Sequence, residues 1–218
     1  MTFADELLPD RYRAVIFDMD GLLLDTEVVW QRAEEDLFRR YGQTFTMDDK
    51  LAVIGTSAEH AADYFTARLG QPEERGAELV EELVDAMHAE LRQQVAGRPG
   101  AIELIERLRG QTRLGLASNS PRRLVDAALA TAGLADAFDA IVTPDEAAFK
   151  PAPDLYLLVC ERLDVAPQDA LALEDSPSGV AAAKAAGLAC IAVPQYAETD
   201  VSAADRIVDS LEELLAEA

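Results

Sequence analysis

Short apolar runs alternate with segments of helical periodicity over most of this chain. The apolar runs have the length of strands, and several lack the polar alternation of a half-exposed strand; they cover residues 13–18, 112–118, 138–143, 169–175 and 189–193. Such runs are typical of parallel strands that are buried on both faces. Between them, apolar residues recur at helical spacing in residues 122–132, 154–163 and 180–186. The alternation predicts an α/β protein built on a parallel sheet.

The alternation is interrupted after the first strand. Residues 22–98 show helical periodicity alone, as in Leu79, Leu83, Met87 and Leu91. Their apolar faces are too many to lie against one edge of a sheet. We therefore expect residues 22–98 to form a small helical domain, inserted into a core made of residues 1–21 and 99–218. An elaborated pair of surface helices is the alternative. The tail, residues 211–218, is predicted to form a short acidic helix.

Composition and charge narrow the classes of partner. The chain has 218 residues, of which 50% are hydrophobic, so it can bury a sizeable core. Its formal net charge is −22 at pH 7, which argues against nucleic acid or an anionic membrane as a partner. A small anionic substrate remains compatible, because a metal ion and a lysine can reverse the local sign of the charge.

The cysteines and the N-terminal segment indicate an intracellular protein. Cys160 and Cys190 both lie in apolar runs, which favours two buried thiols over a disulfide framework. The first ten residues are acidic and lack the pattern of a secretory signal, and no apolar run is long enough to span a membrane. The expected location is the cytoplasm. Nothing in the sequence argues for more than a monomer.

Four short polar clusters carry the candidate chemistry, each at or just beyond an apolar run. They are Asp18-Met19-Asp20-Gly21, Ser118-Asn119-Ser120, Lys150-Pro151 and Glu174-Asp175-Ser176. In an open parallel sheet, the carboxyl ends of the strands meet at one crevice, where ligands bind. We expect the four clusters to come together there.

The first cluster contains two carboxylates one residue apart, Asp18 and Asp20. One of them can attack phosphorus as a nucleophile, and the other, on the opposite face, can transfer a proton. Gly21 allows the chain to turn sharply after them. Taken alone, these residues fit a solvated acidic turn equally well.

The other clusters add a metal site and groups that bind phosphate. Glu174 and Asp175, together with Asp18, offer hard oxygen ligands that suit Mg²⁺. His60 and His88 lie far apart in the helical insert and are expected to be surface or packing residues. Lys150 offers a cation to Asp18 and to a phosphate, although an ordinary solvent-exposed lysine is the alternative.

Serine-proline pairs precede two of the predicted helices. Ser120 with Pro121, and Ser176 with Pro177, suit the N-cap and the first helical position. A helix that begins near Ser118 would offer backbone N–H groups to a phosphate.

In combination, the four clusters resemble the haloacid dehalogenase superfamily of phosphatases. The likeness extends over nearly the whole chain. It is greatest for the branch that contains β-phosphoglucomutase and the 2-deoxyglucose-6-phosphate or hexitol-phosphate phosphatases. The segments that carry it are 15–27, 116–120, 149–154 and 173–180. The resemblance implies a Rossmann-like parallel-sheet core with an inserted helical cap domain.

The resemblance also implies roles for individual residues. Asp18 would be the nucleophile and Asp20 the general acid and base. Mg²⁺ would be held by Asp18, the main-chain carbonyl of Asp20 and Asp175, with Glu174 as a ligand or next to one. Ser118, the main chain of Asn119 and Lys150 would bind the phosphate that is transferred.

Two departures from the mutase pattern bear on the substrate. Ala58 stands where the mutase has an arginine that grips a second phosphate, and Trp30 stands where it has a histidine. We therefore expect a phosphatase that hydrolyses small phosphorylated metabolites, sugar or hexitol phosphates, with Mg²⁺ and an aspartyl phosphate on Asp18. A phosphosugar mutase is the alternative, and a non-catalytic binding protein is a third class. Trp30, Gly55 and Thr56 are the candidate cap contacts to substrate, although Trp30 could equally be a core aromatic.

Overall fold

A six-stranded parallel sheet forms the centre of the protein. The structure, a computed structural model, describes residues 11–53, 56 and 58–215. The strands are β1 (Ala14–Phe17), β2 (Arg113–Ala117), β3 (Ala140–Val142), β4 (Ala170–Glu174), β5 (Ala189–Ala192) and β6 (Arg206–Ile207). Their order across the sheet is β3-β2-β1-β4-β5-β6, and all the pairings are parallel. The predicted α/β fold with a parallel sheet is confirmed.

β1 lies at the centre of this sheet, between β2 and β4. Ala14 is in register with Arg113 on one side and Ala170 on the other. Every residue of β1 is fully buried. The sequence predicted the first five strands but not β6, whose two residues are both exposed and belong to no apolar run.

The segment between β1 and the rest of the sheet is helical, as expected. It contains α1 (Glu27–Arg40), α2 (Met47–Val53), α3 (Ala58–Leu69) and α4 (Gly76–Leu91), with a 3-10 turn at Glu73–Arg75. α4 packs against both α1 and α3. The two chain segments that lead into and out of the helices pair with each other: the Asp25 amide donates to the Ala96 carbonyl (2.9 Å), and the Arg98 amide donates to the Leu23 carbonyl (2.9 Å).

Four further helices follow in the remaining chain. They are α5 (Ala101–Leu108), α6 (Arg122–Thr131), α7 (Asp154–Leu163) and α8 (Pro177–Ala186). A 3-10 helix at Leu211–Leu214 falls within the tail that was predicted to be helical, and residues 216–218 lie outside the described part. Within the described residues, no helix has the length and apolar character that crossing a bilayer requires.

Both faces of the sheet are covered, which explains why its strands lack polar alternation. Val15 and Phe17 of β1 point into one buried cluster, together with residues of α5 and α6. Ala14 and Ile16 point into a second cluster, together with residues of α7 and α8. Side chains alternate between the faces of a strand, so a strand covered on both sides must be apolar throughout.

The helical segment also contacts the sheet-bearing part of the chain through α4 and α6. The guanidinium of Arg123 on α6 donates to Glu81 (2.7 Å) and to Asp85 (2.8 Å) on α4. These ion pairs are exposed, so each is worth less than about 1 kcal/mol and is weakened by salt.

The packing of α7 on the sheet depends on a glycine in β2. A Cβ atom at Gly115 would lie 3.1 Å from Leu163 Cδ1 and 3.3 Å from Ile16 Cγ1, and closer still to Val159 Cγ1. We predict that Gly115→Ala destabilises the protein by about 1–3 kcal/mol, because a close-packed interior cannot admit the methyl group without strain. Urea unfolding measures this cost.

A second substitution tests whether the contact with Val159 is the cause of the strain. Val159→Ala removes the nearest obstacle, so the double variant is expected to be more stable than the sum of the two single effects predicts. Additive effects, or an unchanged unfolding midpoint in Gly115→Ala, would show that this contact does not limit the packing.

Candidate active site

The four polar clusters come together at the carboxyl edge of the central strands. Asp18 follows β1, Ser118 follows β2, and Glu174 ends β4. Lys150 reaches the same place from the loop between β3 and α7, because its ammonium contacts both Asp18 and Glu174. The structure therefore brings together the side chains that the sequence placed at one crevice.

The ammonium of Lys150 is the centre of this arrangement. It donates to Asp18 Oδ1 (2.6 Å), to Glu174 Oε1 (2.6 Å) and to the carbonyl of Ala117 (2.7 Å), and only 4% of the residue is exposed. Burial alone would favour the neutral amine, but the charges of Asp18 and Glu174 outweigh it and hold the pKa of Lys150 above its ordinary value. Lys150 is thus a buried cation, and the alternative of a solvent-exposed lysine is wrong.

The backbone of Lys150 is fixed by the side chain of Asn119. The amide of Lys150 donates to Asn119 Oδ1 (2.9 Å), and Asn119 Nδ2 donates to the Lys150 carbonyl (3.3 Å). This pair of bonds holds the β3–α7 loop against the end of β2. The sequence had assigned only the main chain of Asn119 to the site.

Glu174 is fully buried and accepts hydrogen bonds on both of its oxygens. Oε1 accepts from Lys150 and from the hydroxyl of Tyr156 (2.6 Å), while Oε2 accepts from the Asp175 amide (3.2 Å) and the Ser176 hydroxyl (3.3 Å). Burial, reinforced by the negative charge of Glu174, raises the pKa of Tyr156 well above its ordinary value, so its hydroxyl remains a donor.

A glycine leaves the space that this carboxylate occupies. A Cβ atom at Gly179, in the first turn of α8, would overlap the carboxylate of Glu174. Neither Gly179 nor Tyr156 was assigned a role in the site from the sequence. The available signal for Tyr156 was a tyrosine in an otherwise apolar helix, because a buried hydroxyl needs a partner.

Asp20 lies in a separate hydrogen-bonding environment. Its Oδ1 accepts from the hydroxyl of Thr26 (2.7 Å), and its Oδ2 accepts from the hydroxyls of Ser118 (3.0 Å) and Ser120 (2.9 Å). The two carboxylates of the first cluster thus have different partners: an ammonium for Asp18, and three neutral hydroxyls for Asp20. No role for Thr26 was predicted from the sequence.

The predicted serine caps differ in outcome. Ser176 caps α8, since its hydroxyl accepts from the Gly179 amide (3.1 Å) and Pro177 is the first helical residue. The expectation for Ser120 is wrong: α6 begins one residue later than predicted, with Pro121 at the cap position. The hydroxyl of Ser120 instead donates to Asp20 Oδ2 (2.9 Å). A carboxylate is a strong acceptor, so this bond fixes the orientation of the hydroxyl.

Three carboxylates lie close enough together to share a cation. One oxygen from each of Asp18, Glu174 and Asp175 falls within 4.8 Å of the others. Burial raises the pKa of Asp18 to about 8; Lys150 opposes this rise, and the charges of Glu174 and Asp20 add to it. Burial and the charges of Asp18 and Glu174 also raise the pKa of Asp175 well above its ordinary value. Lys150 therefore does not fully offset the cost of ionising these buried carboxyls.

Gly21 gives this cluster the room that it needs. It adopts a left-handed conformation with φ of 87°, and a Cβ atom there would press on Asp175 Oδ2. The sequence predicted a glycine turn at this position, and its close approach to Asp175 adds a second reason for glycine.

Among the described residues, no hydrogen bond is observed between the carboxylate cluster and the residues of the helical segment that were predicted to contact substrate. Trp30 on α1 is half-buried and packs against the main apolar cluster. Thr56 is exposed and donates to the carbonyl of Val53 (2.8 Å), whereas Gly55 lies outside the described residues. The approach of these residues to a substrate stays a prediction. His60 and His88 are not part of the carboxylate cluster.

Known proteins resemble this chain in both sequence and fold. A sequence profile described as haloacid dehalogenase-like hydrolase matches residues 15–193. The chain is 34% identical over 189 residues to hexitol phosphatase B of Escherichia coli (strain K12), with 85% of each protein covered. It is 35% identical over 178 residues to a phosphorylated carbohydrates phosphatase of Thermotoga maritima, with 80% of this chain and 82% of that protein covered.

A solved structure agrees with these sequence matches. The crystal structure of CbbY from Rhodobacter sphaeroides in complex with phosphate has a TM-score of 0.82 to this protein at 31% identity, and the alignment covers 93% of this chain and 96% of that one. The resemblance inferred from the four polar clusters is confirmed. The profile match, the sequence relatives and the shared fold together show that this chain belongs to the haloacid dehalogenase-like hydrolase family.

Proposed function

We propose that this protein is a Mg²⁺-dependent phosphatase that hydrolyses small phosphorylated metabolites, sugar or hexitol phosphates, through an aspartyl phosphate on Asp18. The observation that carries the proposal is the buried Lys150 ammonium, which bridges Asp18 and Glu174 beside Asp175. The names of the relatives support the substrate class, since they include a hexitol phosphatase and a phosphorylated carbohydrates phosphatase.

The donor set fits a hard divalent cation. Asp18, Glu174 and Asp175 offer only carboxylate oxygens, and Mg²⁺ prefers oxygen ligands. Asp18 and Asp175, with the main-chain carbonyl of Asp20, would hold the ion, and Glu174 would be a ligand or next to one. When bound, the ion would reduce the repulsion between the Asp18 carboxylate and a phosphate dianion.

In the first step, an oxygen of Asp18 attacks phosphorus and the ester bond to the leaving group breaks. Asp20 gives its proton to the departing alkoxide, and the phosphoryl group is left on Asp18 as an acyl phosphate. In the second step, Asp20 takes a proton from water, the water oxygen attacks phosphorus, and inorganic phosphate leaves. Asp18 is regenerated as a carboxylate and Asp20 as the acid, so the cycle balances.

The remaining residues bind and neutralise the phosphate. Ser118 and the backbone N–H of Asn119 are the proposed phosphate donors, and Lys150 supplies a positive charge. The Ser118 hydroxyl donates to Asp20 Oδ2 (3.0 Å) in the structure, so it would turn from Asp20 to the phosphate when substrate binds. The three N–H bonds of the Lys150 ammonium are directed at protein acceptors, so its main effect is to stabilise Asp18 and the site as a whole through its charge. Asp20 is oriented by Thr26, Ser118 and Ser120.

The helical segment, residues 22–98, would act as a cap over the crevice, with residues 1–21 and 99–218 as the catalytic core. Its paired linkers, at Leu23–Asp25 and at 96–98, are short and lie directly after the cluster that contains Asp18 and Asp20. Closure of such a cap excludes bulk water and completes the site. Trp30, Gly55 and Thr56 are the residues that we expect to contact the leaving group.

The substrate test separates hydrolysis from phosphoryl transfer between sugar hydroxyls. A mutase must hold a second phosphate, which requires a cation in the cap that is free to bind it. Ala58 supplies none at the position that matches the arginine of the mutase, and residues 55–62 contain no Lys or Arg. The ammonium of Lys50 on α2 is already paired with Glu27 (2.6 Å) and Glu34 (2.9 Å). We therefore predict release of inorganic phosphate from hexose and hexitol 6-phosphates, and negligible conversion of β-glucose 1-phosphate to the 6-phosphate.

A phosphate-release assay measures the first activity, and a coupled glucose-6-phosphate dehydrogenase assay, primed with glucose 1,6-bisphosphate, measures the second. Isomerisation that is faster than phosphate release over many turnovers would overturn the hydrolase assignment and favour the mutase.

The charge of the carboxylate cluster makes stability depend on pH and metal. In metal-free protein, the pKa of Asp18 is about 8 when folded and about 4 when unfolded, so its contribution to stability is lost as pH rises through this interval. Mg²⁺ would bind the ionised cluster and offset the loss. We predict that the rise in Tm on adding saturating Mg²⁺ is small near pH 5 and grows towards pH 8. Thermal unfolding with Mg²⁺ or with chelator measures it.

Asp175→Asn provides the matched variant for this experiment. It removes one ionisable carboxyl from the cluster, so the metal-free Tm is expected to hold or rise while the Mg²⁺-dependent increase disappears. An increase that is constant across pH, or that survives in Asp175→Asn, would contradict the proposed metal site.

The cap assignment gives a prediction for Trp30. If its indole contacts the leaving group, Trp30→Ala should alter the ranking of substrates by kcat/KM more than it lowers Tm. Phe45→Ala is the control, because Phe45 is a partly buried aromatic of the same segment that packs against the same cluster. A collapse of Tm with an unchanged ranking would show that Trp30 is a core residue.

A further inference from the structure

Tyr156 is a buried tyrosine whose hydroxyl and ring both contact residues of the candidate site. It lies on α7 and is fully buried. Its hydroxyl donates to Glu174 Oε1 (2.6 Å), and the centre of its ring lies 5.1 Å from Lys150 Nζ. The ring thus supports the ammonium while the hydroxyl holds the carboxylate that the ammonium also contacts.

The hydrogen bonds around Glu174 and Lys150 leave little freedom. Glu174 Oε1 is shared between Lys150 and Tyr156, while Oε2 accepts from the Asp175 amide and the Ser176 hydroxyl. Lys150 directs its three protons at Asp18, Glu174 and the Ala117 carbonyl. Because Glu174 is fully buried, water cannot replace a donor that is lost.

Loss of the Tyr156 hydroxyl would therefore change the geometry rather than only weaken one bond. Oε1 would accept from Lys150 alone, so the carboxylate could turn and draw the ammonium with it. The contact that depends on this alignment is the 2.6 Å bond from Lys150 to Asp18 Oδ1.

We propose that Tyr156 is a positioning residue: its hydroxyl fixes Glu174 Oε1, and through Glu174 it keeps the Lys150 ammonium on Asp18. The inference rests on the proposed function, because it assigns Tyr156 to the same site. Tyr156 acts through other side chains and has no contact with the reacting atoms.

Tyr156→Phe isolates the hydroxyl, since the ring remains beneath Lys150. Partners that orient such a site from outside typically contribute 10–100-fold, so we expect kcat to fall by about that factor while KM changes less than about threefold. The rise in Tm on adding Mg²⁺, measured without substrate, is expected to be smaller than in the wild type, because Glu174 belongs to the carboxylate cluster.

Tyr64→Phe is the matched control. The hydroxyl of Tyr64 on α3 also donates to a buried carboxylate, Asp49 Oδ1 (2.7 Å), but within the helical segment. This variant loses an equivalent bond, so it is expected to lower Tm while leaving kcat and the Mg²⁺-dependent shift unchanged.

A double-mutant cycle tests the route through Glu174. If Tyr156 acts only through this carboxylate, the loss in kcat for Tyr156→Phe combined with Glu174→Gln should be no greater than for Glu174→Gln alone. Additive losses would overturn the proposal, as would a wild-type kcat in Tyr156→Phe or an equal fall in Tyr64→Phe.

Failure of this inference is distinguishable from failure of the proposed function. A wild-type protein that hydrolyses no phosphate ester refutes the phosphatase, and the Mg²⁺-dependent Tm still tests Tyr156: a full shift in Tyr156→Phe overturns the inference, and a reduced shift supports it. An active wild type with an unaltered Tyr156→Phe refutes the inference alone.

Discussion

A single buried positive charge holds the catalytic edge of this protein together. The Lys150 ammonium joins Asp18 after β1, the Ala117 carbonyl at the end of β2 and Glu174 at the end of β4. Removing one partner of a buried ion pair leaves an uncompensated charge and typically costs about 3–5 kcal/mol. The alignment of three neighbouring strand ends and the charge of the proposed nucleophile thus depend on the same group.

The single positive charge of Lys150 does not balance the carboxylates around it, which bears on the function of the site. Burial raises the pKa values of Asp18 and Asp175 above their ordinary ranges, and the neighbouring carboxylates add to a rise that the one ammonium opposes without cancelling. An ion pair with a purely structural role would not need three carboxylates around one ammonium. The divalent cation that we propose would supply the missing positive charge. Glycines at 21 and 179 leave space for these carboxylates, where any side chain would collide with them.

The sequence predicts which residues meet at this site because the topology of a parallel sheet determines where its strands end. Strands buried on both faces must be apolar, and polar residues at their carboxyl ends must share one edge, so Asp18, Ser118 and Glu174 could be placed together without coordinates. β6 could not be found, because its two exposed residues owe their conformation to pairing with β5 rather than to a pattern of their own.

What the sequence could not supply are side-chain contacts between different elements of the fold. Tyr156 and Gly179 each touch Glu174 from a different helix, and neither position has a periodic signature. Ser120 was predicted to cap a helix, but its hydroxyl donates to the carboxylate of Asp20 instead. Local rules describe the preference of a segment in isolation and do not include a carboxylate that another part of the chain brings near.

The covalent step on Asp18 is the central claim, and chemical trapping tests it most directly. Protein, substrate and Mg²⁺ are mixed, quenched within one turnover and treated with borohydride, which reduces an acyl phosphate to an alcohol; peptide mass spectrometry then locates the reduced residue. The account predicts homoserine at position 18, formed only with substrate and absent from Asp18→Asn. A reduced carboxylate elsewhere, or phosphate release with no reduced residue at all, would contradict it.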